Sequence, residues 1–476
     1  MLKIQRKATK NGENHQADGY NEPITQASLL RRALEWFAKD DSFRELSLHG
    51  NVSWTPVQLM TLSVLWAWSD STTLTAAFKD AKQLVLQLFG TTAVTSFQGL
   101  TGALRTYTAA LMTMWWPHLH MRMEEAAGNH WRIGMWLALA VDGSRVTTPR
   151  TESNERAFSI KNYGRGGMTK SRAKWKNKRR RSKPLAERVK PQIWLTLIWH
   201  MGLKLPWTWC MGPSTANERE HLLTMVNTFK FPENTLFCFD AGFVGYDFWK
   251  TLQSGGHHFL ARVGANVRLL KKLGVTRQSR DLVYLWPGKA AKKKQPPLVL
   301  RLIQFQGPRG PVFLVTNVLS KKKLSPRQAT QLYRLRWGIE LQFRALKQTF
   351  GRTKLRSRNS DNAIVELHWS LIGLTLIQLF AVKEQIKTDS PPVNSSVALA
   401  LAVIRGAMRN WSLAVHAKRD LSSKLQRATK DGYERHGSKQ ARYRPNYKDK
   451  PSTKPPIITF ANRQQRKAYR AFLAAA

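Results

Sequence analysis

Residues 333–347 read YRLRWGIELQFRALK, with a single acid, Glu340, set between Arg336 and Lys347. Elsewhere two aspartates close apolar runs: Asp142 in WRIGMWLALAVDGSRV and Asp240 in TLFCFDAGF. Each run has the pattern of a buried strand emerging into a turn. Both carboxylates are thereby delivered where strands meet loops, the place where sites gather in open α/β sheets. Three carboxylates brought together from separate elements repel one another, and hard divalent cations, which prefer oxygen ligands, relieve that repulsion best. Two Mg2+ ions about 4 Å apart, with Mn2+ as substitute, would activate a nucleophile and stabilise the leaving oxygen of an in-line phosphoryl transfer. Arg336 and Lys347 would then hold phosphates, not neutralise Glu340.

The element carrying Glu340 has well-marked ends. Ser325-Pro326-Arg327-Gln328 is a capping box with proline at the first helical position, and Gly351 suits the residue past the end, so the spacing predicts one helix over about 326–350. At about 100° per residue, Tyr333, Arg336, Trp337, Glu340, Arg344 and Lys347 share one face. Leu332, Leu335, Ile339, Phe343, Leu346 and Phe350 form a band roughly 110° away, the stripe that packs on a sheet. The competing assignment for the polar face is a solvated surface whose i,i+4 ion pairs contribute about 0.3 kcal/mol each.

The two aspartates need a scaffold, and the order of elements supplies one. After the strand ending on Asp142, IWLTLIWHMG and PWTWCMG read as strands, STANEREHLLTMVNTF as a helix, the strand of Asp240 follows, YDFWKTLQSGG is a helix and HHFLARVGA a strand. This is an α/β order with a mixed sheet. Residues 1–22 are polar and loose, and 23–127 read as helical, with Thr55-Pro56-Val57-Gln58 opening one helix through a capping box. A catalytic region then spans 128–350, interrupted by a basic arm at 165–190 and a β-rich insertion at 264–318. Residues 351–476 are helical with a basic, proline-bearing linker at 434–458.

Composition narrows the partner. The chain has 476 residues, 77 Lys+Arg against 30 Asp+Glu and a formal charge of +47, while 42% hydrophobic content leaves ample material for a core. Such an excess points first to nucleic acid. The arm 165–190 alone holds twelve Lys/Arg and one Glu, with Lys178, Arg179, Arg180 and Arg181 in succession. Membrane insertion is disfavoured because the most apolar stretch, Ile364 to Val382, carries Glu366 and His368. No secretory signal is visible behind the basic N-terminus. Cys210 and Cys238 form no CxxC pattern and read as reduced core residues, and the pairs His118/His120 and His257/His258 lack companions at metal-site spacing.

Tyr333, Arg336, Glu340 and Lys347, separated by two, three and six residues, resemble the Tyr-Arg-Glu-Lys signature of DDE transposases of the insertion-sequence-four superfamily from bacteria. VDGS around Asp142 and DAGFVGYDFW from Asp240 are similar to that family's two acidic motifs, in the right order. The resemblance implies a ribonuclease-H-like catalytic core with a β-rich insertion between the second Asp and the Glu, plus helical N- and C-terminal regions. It implies that Asp142, Asp240 and Glu340 are the catalytic, metal-binding triad, and that Tyr333, Arg336 and Lys347 contact DNA phosphates. Trp337 and Arg344 share that face but lie outside the signature. The implied reaction is hydrolytic nicking at element ends, then attack of the freed 3′-hydroxyl on target DNA, by a homodimer in a synaptic complex within the bacterial cytoplasm, at the nucleoid. Trp286 is a candidate, by position, for the insertion aromatic that aids hairpin formation in some members.

Three other readings compete. One is a catalytically inactive, transposase-derived DNA-binding protein, another a nuclease of the ribonuclease-H fold, distinguished by the lack of strand joining. The third is a structural nucleic-acid protein whose acids form ion pairs only. The arm departs from the family pattern in length and charge, and its expected role is sequence-independent phosphate binding through counterion release.

Overall fold

Thr25, Thr55, Thr73 and Ser96 each accept a hydrogen bond from a first-turn backbone N–H, and each opens a helix: α1 (Gln26–Phe37), α2 (Pro56–Trp68), α3 (Leu74–Phe89) and α4 (Phe97–Ala127). Short polar side chains that satisfy these otherwise unpaired donors fix where the helices begin. The capping box expected at Thr55 and Gln58 is present, with Pro56 at the first position. The computed structural model describes residues 24–91, 94–159, 190–274, 281–307, 310–415, 420–430 and 454–475.

After α4 the chain enters a sheet. The elements run β1 (Leu137–Thr147), α5 (Glu152–Phe158), β2 (Gln192–His200), β3 (Leu205–Gly212), α6 (Glu218–Thr228), β4 (Thr235–Phe239), α7 (Tyr246–Ser254) and β5 (His258–Val263). β1 pairs antiparallel with β2 and β2 with β3, whereas β4 lies parallel to β1 and β5 parallel to β4. The alternation of strands and helices read from the sequence is therefore present, with α5 as an addition.

Then follow β6 (Arg268–Lys271), β7 (Leu282–Leu285), α8 (Gly288–Lys292), β8 (Leu298–Gly307) and β9 (Gly310–Thr316). The β-rich stretch expected at 264–318 does not form a sheet of its own. β9 pairs antiparallel with β5, which joins the strands of the described residues into one ten-stranded sheet in the order β10-β6-β7-β8-β9-β5-β4-β1-β2-β3.

The remaining elements are α9 (Pro326–Leu335), α10 (Gly338–Arg344), α11 (Ser360–Ile386), α12 (Val397–Arg409), α13 (Leu421–Gln426), β10 (Ile457–Phe460) and α14 (Arg463–Ala475). The C-terminal region, expected to be helical, thus also contributes an edge strand, β10, laid parallel on β6. By length and composition α11 could cross a membrane, but 89% of its apolar window is buried inside the protein. Its Glu366 is satisfied there: it accepts from the backbone N–H groups of Arg356 and Ser357 and from the Ser357 hydroxyl, and faces Arg352 at 3.8 Å. A carboxylate so paired is tolerated in a protein core and would be costly in lipid.

Helices cover both faces of the central strands. Side chains alternate along β1. Ser144 meets Lys347 on one face, and Gly143 backs onto Glu218 of α6 on the other.

Candidate active site

Asp142 does not sit at the end of its strand. β1 continues to Thr147 in register with β2, where Asp142 stands opposite Leu197. What ends is the neighbour on the other side: the β1–β4 ladder stops at Ala140 and Cys238. Asp142 therefore projects just past the last parallel pair, and Asp240 leaves β4 one residue after Phe239. The two aspartates emerge side by side from adjacent parallel strands. Each is tied back to its own main chain, Asp142 by the N–H of Gly143 at 2.8 Å and Asp240 by the N–H of Gly242 at 2.7 Å.

Glu340 reaches them from a helix that is not the single rod expected over 326–350. α9 stops at Leu335, Arg336 and Trp337 form a turn, α10 begins at Gly338, and Ala345–Thr349 is a π-helical turn. Gly338 accounts for the close approach at this break, because a Cβ there would lie 2.2 Å from the Trp199 ring of β2. Burial divides the expected polar face. Tyr333 and Arg336 are buried, Lys347 is half-buried, and Trp337, Glu340 and Arg344 are exposed. The apolar band survives: Leu332, Ile339, Phe343, Leu346 and Phe350 are buried.

Arg336, 3% exposed, points Nη1 at Asp142 Oδ2, 3.6 Å away. Its Nε and Nη1 have no hydrogen-bond partner among the described residues. The guanidinium also lies over the rings of Tyr333 and Trp337, 5.5 and 5.2 Å from their centroids. Lys347 donates to the Ser144 hydroxyl at 2.7 Å, two residues along β1 from Asp142. Burial pushes the Tyr333 hydroxyl up, opposed by Arg336 and Arg262 and reinforced by Asp240.

The acids interact through charge. Burial pushes the Asp142 carboxyl up to about 6; Asp240 and Glu340 add to the rise, while the Gly143 N–H and Arg336 oppose it. Asp142, Asp240 and Glu340, drawn from a strand, a strand end and a helix, thus share one electrostatic neighbourhood. Glu218 at the start of α6 belongs to it as well: burial pushes it up to about 7, with Asp142 and Asp240 adding to the rise and Arg145 and Arg219 opposing it. Sequence reading missed Glu218, because nothing in NEREHLL separates it from its neighbour Glu220.

The donor set is carboxylate oxygen, which suits a hard divalent cation. Among the described residues no three Asp, Glu, His or Cys side chains are gathered into metal-ligand contact. The charges of Asp240 and Glu340 repel that of Asp142, with a buried, partly unpaired guanidinium beside it. That combination fits a ligand bringing both cations and a phosphate: the cations would relieve the carboxylates, and the phosphate would satisfy Arg336.

Trp286 and the basic arm are the remaining expected contributors. Trp286 is buried, donates to the Gln295 carbonyl at 2.9 Å and packs edge-on against Tyr469 of α14, so its ring is covered by the C-terminal helix. Lys178, Arg179, Arg180 and Arg181, with most of the 165–190 arm, lie outside the described residues.

The family model described as a transposase DDE domain matches residues 137–376, just over half of the chain. The chain belongs to the DDE transposase domain family. Transposase InsG for insertion sequence element IS4, from Escherichia coli strain K12, is 25% identical over 270 residues, which is 54% of this chain and 55% of that protein. The chain therefore spans about half the length of this curated relative. A piggyBac transposase chain, solved in a synaptic complex with hairpin DNA, aligns at a TM-score of 0.36 and 11% identity over 86% of each chain. The matched DDE domain begins at the first residue of β1 and ends within α11, so it includes Asp142, Asp240 and Glu340.

Proposed function

We propose that this transposase cleaves DNA at the ends of its mobile element and joins the freed 3′-hydroxyl to target DNA, with Asp142, Asp240 and Glu340 holding two Mg2+ ions. The observation that carries this is the charge convergence of the three acids with Arg336 buried against Asp142 and short of hydrogen-bond partners. The strand order β3-β2-β1-β4-β5, antiparallel then parallel, supports reading the core as ribonuclease-H-like.

Bound divalent ions would supply Lewis-acid stabilisation at the scissile phosphate and a more acidic attacking water or hydroxyl. The chain's own residues do the positioning. Arg336, fixed between two aromatic rings, offers unused N–H groups to a phosphate oxygen next to Asp142, and its planar fork suits that task. Lys347, held by Ser144, places a second cation along the same strand.

Basic surface continues away from the acids. β1 runs five residues beyond Asp142 to Thr147, about 16 Å at strand rise, and there bridges to Lys354. Lys354, Arg356 and Arg358 line a groove of about 750 Å³ with Arg150, Thr72 and Thr73. A duplex with its cleavable phosphate at the acids could lay its backbone along this line. Strand transfer joins two element ends to one target, so the working unit is a synaptic homodimer.

The test is nicking and joining of candidate end DNA by purified protein with Mg2+ or Mn2+. Asp142→Asn, Asp240→Asn and Glu340→Gln should each abolish both steps while DNA binding persists. Cleavage surviving in all three variants overturns the assignment.

A further inference from the structure

We infer that Glu218 is a fourth acidic side chain of the same ion-binding centre, entering it from the opposite face of β1 through the gap left by Gly143. The inference rests on the proposed metal-dependent reading and deepens it.

The geometry is specific. A Cβ built on Gly143 would meet Glu218 Oε1 at 2.2 Å, Cδ at 2.7 Å and Cγ at 2.8 Å. A Cβ on Gly242 would lie 3.0 Å from Asp240 Oδ1 and 3.9 Å from Glu218 Oε2. The carboxylate therefore lies between the segments that follow the two aspartates, with one oxygen against VDGS and the other toward DAGF. Any side chain at 143 would occupy the volume through which it reaches. Glycine here makes room for the acid; it does not serve an unusual backbone angle.

Why α6 should send an acid there is not answered by local structure. An acid in a first helical turn interacts favourably with the helix dipole, and Glu220 in the same turn already does so from an exposed position. Asn217 caps the helix by accepting from the Arg219 N–H at 3.0 Å. Arg219 donates to the Val244 carbonyl at 2.8 Å, and Arg145 lies over the Trp194 ring at 4.6 Å. Glu218 makes no ion pair and no hydrogen bond with any described residue. It is only partly exposed and faces the like charges of Asp142 and Asp240, while Arg145 and Arg219, held in those contacts, attract it without bonding to it. A carboxylate desolvated beside two others, with cations near it but none bonded to it, is costly, and such a cost persists where function requires it. Arg336, also partly unpaired, approaches Asp142 from the far face, so the aspartates lie between a cation on one side and Glu218 on the other.

Glu218 would thus supply an oxygen donor to a cation held by Asp142 and Asp240. Glu340, exposed on α10, remains the contribution from the other face. Glu218 is carried by a capped helix packed on β1, β2 and β3, which sets its backbone beside β1.

The test is Mn2+ binding to the full chain without DNA, read by calorimetry and by the electron paramagnetic resonance of free Mn2+. Glu218→Gln should weaken the tighter Mn2+ site at least about tenfold, and Glu218→Asp, one methylene shorter, should weaken it less. Melting in chelator should be unchanged or raised for Glu218→Gln, since a repelling charge is removed. If Asp142→Asn loses Mn2+ but Glu218→Gln binds as the parent does, the role of Glu218 is overturned and the three-acid centre stands. If Asp142→Asn also binds Mn2+ as the parent does, the metal-dependent reading itself fails. Should Glu218→Gln not fold, Glu218→Asp decides, parent-like affinity being the result against the inference.

Discussion

Arg336 Nη1 lies 3.6 Å from Asp142 Oδ2, and the guanidinium is the more deeply buried partner, its side chain 4% exposed against 20% for the carboxylate. A buried arginine normally has its N–H groups satisfied, yet Nε and Nη1 here have no hydrogen-bond partner among the described residues. The contact holds the cation close to the acid without saturating it, which is the state expected of a group that waits for an anion.

Arg336→Ala should therefore slow single-turnover nicking by roughly a hundredfold, the scale on which one well-placed donor to a developing charge acts. Arg336→Lys should recover little of it, because a point charge cannot reproduce the fork wedged between Tyr333 and Trp337. Parent-like nicking in the lysine variant would mean that charge alone matters there.

The elevation of Asp142 to about 6 makes a prediction with a definite sign. A carboxyl whose folded pKa exceeds its unfolded value holds its proton more tightly when folded. Its stabilising contribution is complete below the unfolded value of 3.8 and is lost as pH rises through about 6. His120, His200 and His368, buried with lowered pKa values, push stability the other way in acid. Total stability will therefore hide the effect, and the difference between Asp142→Asn and the parent isolates it. In chelator that difference should shift in favour of the variant by on the order of 2 kcal/mol between pH 4 and 7. Its absolute offset also contains the loss of Arg336's partner. Denaturant melts at several pH values measure it, and a pH-independent difference would contradict the elevation. Added Mg2+ should stabilise the parent and not the variant.

Gly338 presents two opposed effects. Alanine in place of glycine favours a helix by about 1 kcal/mol. The new methyl, however, would fall 2.2 Å from the Trp199 ring, and overpacking a buried contact costs about 1–3 kcal/mol. The clash should win, so Gly338→Ala lowers the melting temperature by a few degrees and tilts α10 with Glu340. Trp199→Leu should rescue the double variant relative to the sum of the single changes. Simple additivity in that cycle would show the ring and Gly338 to be uncoupled.

The order of strands and helices from β1 to β5 was legible because each apolar run is long and the turns are marked. Three features were not. The polar tail of β1, DGSRVT, reads as a turn because its partner lies only on the β2 side, and pairing is not written in its own residues. The break at Arg336 and Trp337 is set by docking of Gly338 onto Trp199, a contact between residues distant in sequence, and a projection at 100° per residue runs straight through it. Glu218 gave no signal at all, since its place depends on a missing Cβ at Gly143. Asp142 and Asp240 stand out in the sequence because each closes an apolar run; the acid that reaches through a gap does not.

The basic arm, whose charge is plain in the sequence, gives a prediction that needs no geometry. Duplex binding releases roughly 0.9 counterion per phosphate neutralised, so each arm cation that meets a phosphate adds about that much to the slope of log affinity against log salt. Replacing Lys178, Arg179, Arg180 and Arg181 with alanine should reduce the slope by up to roughly 3–4 if all four engage. Affinity should fall about equally for element-end and unrelated duplexes, because phosphate contacts position DNA without reading it. Loss confined to end DNA would instead assign the arm to sequence recognition, and an unchanged slope would remove it from the DNA-binding surface. Fluorescence anisotropy across a salt series, in chelator to keep cleavage out, separates the three results.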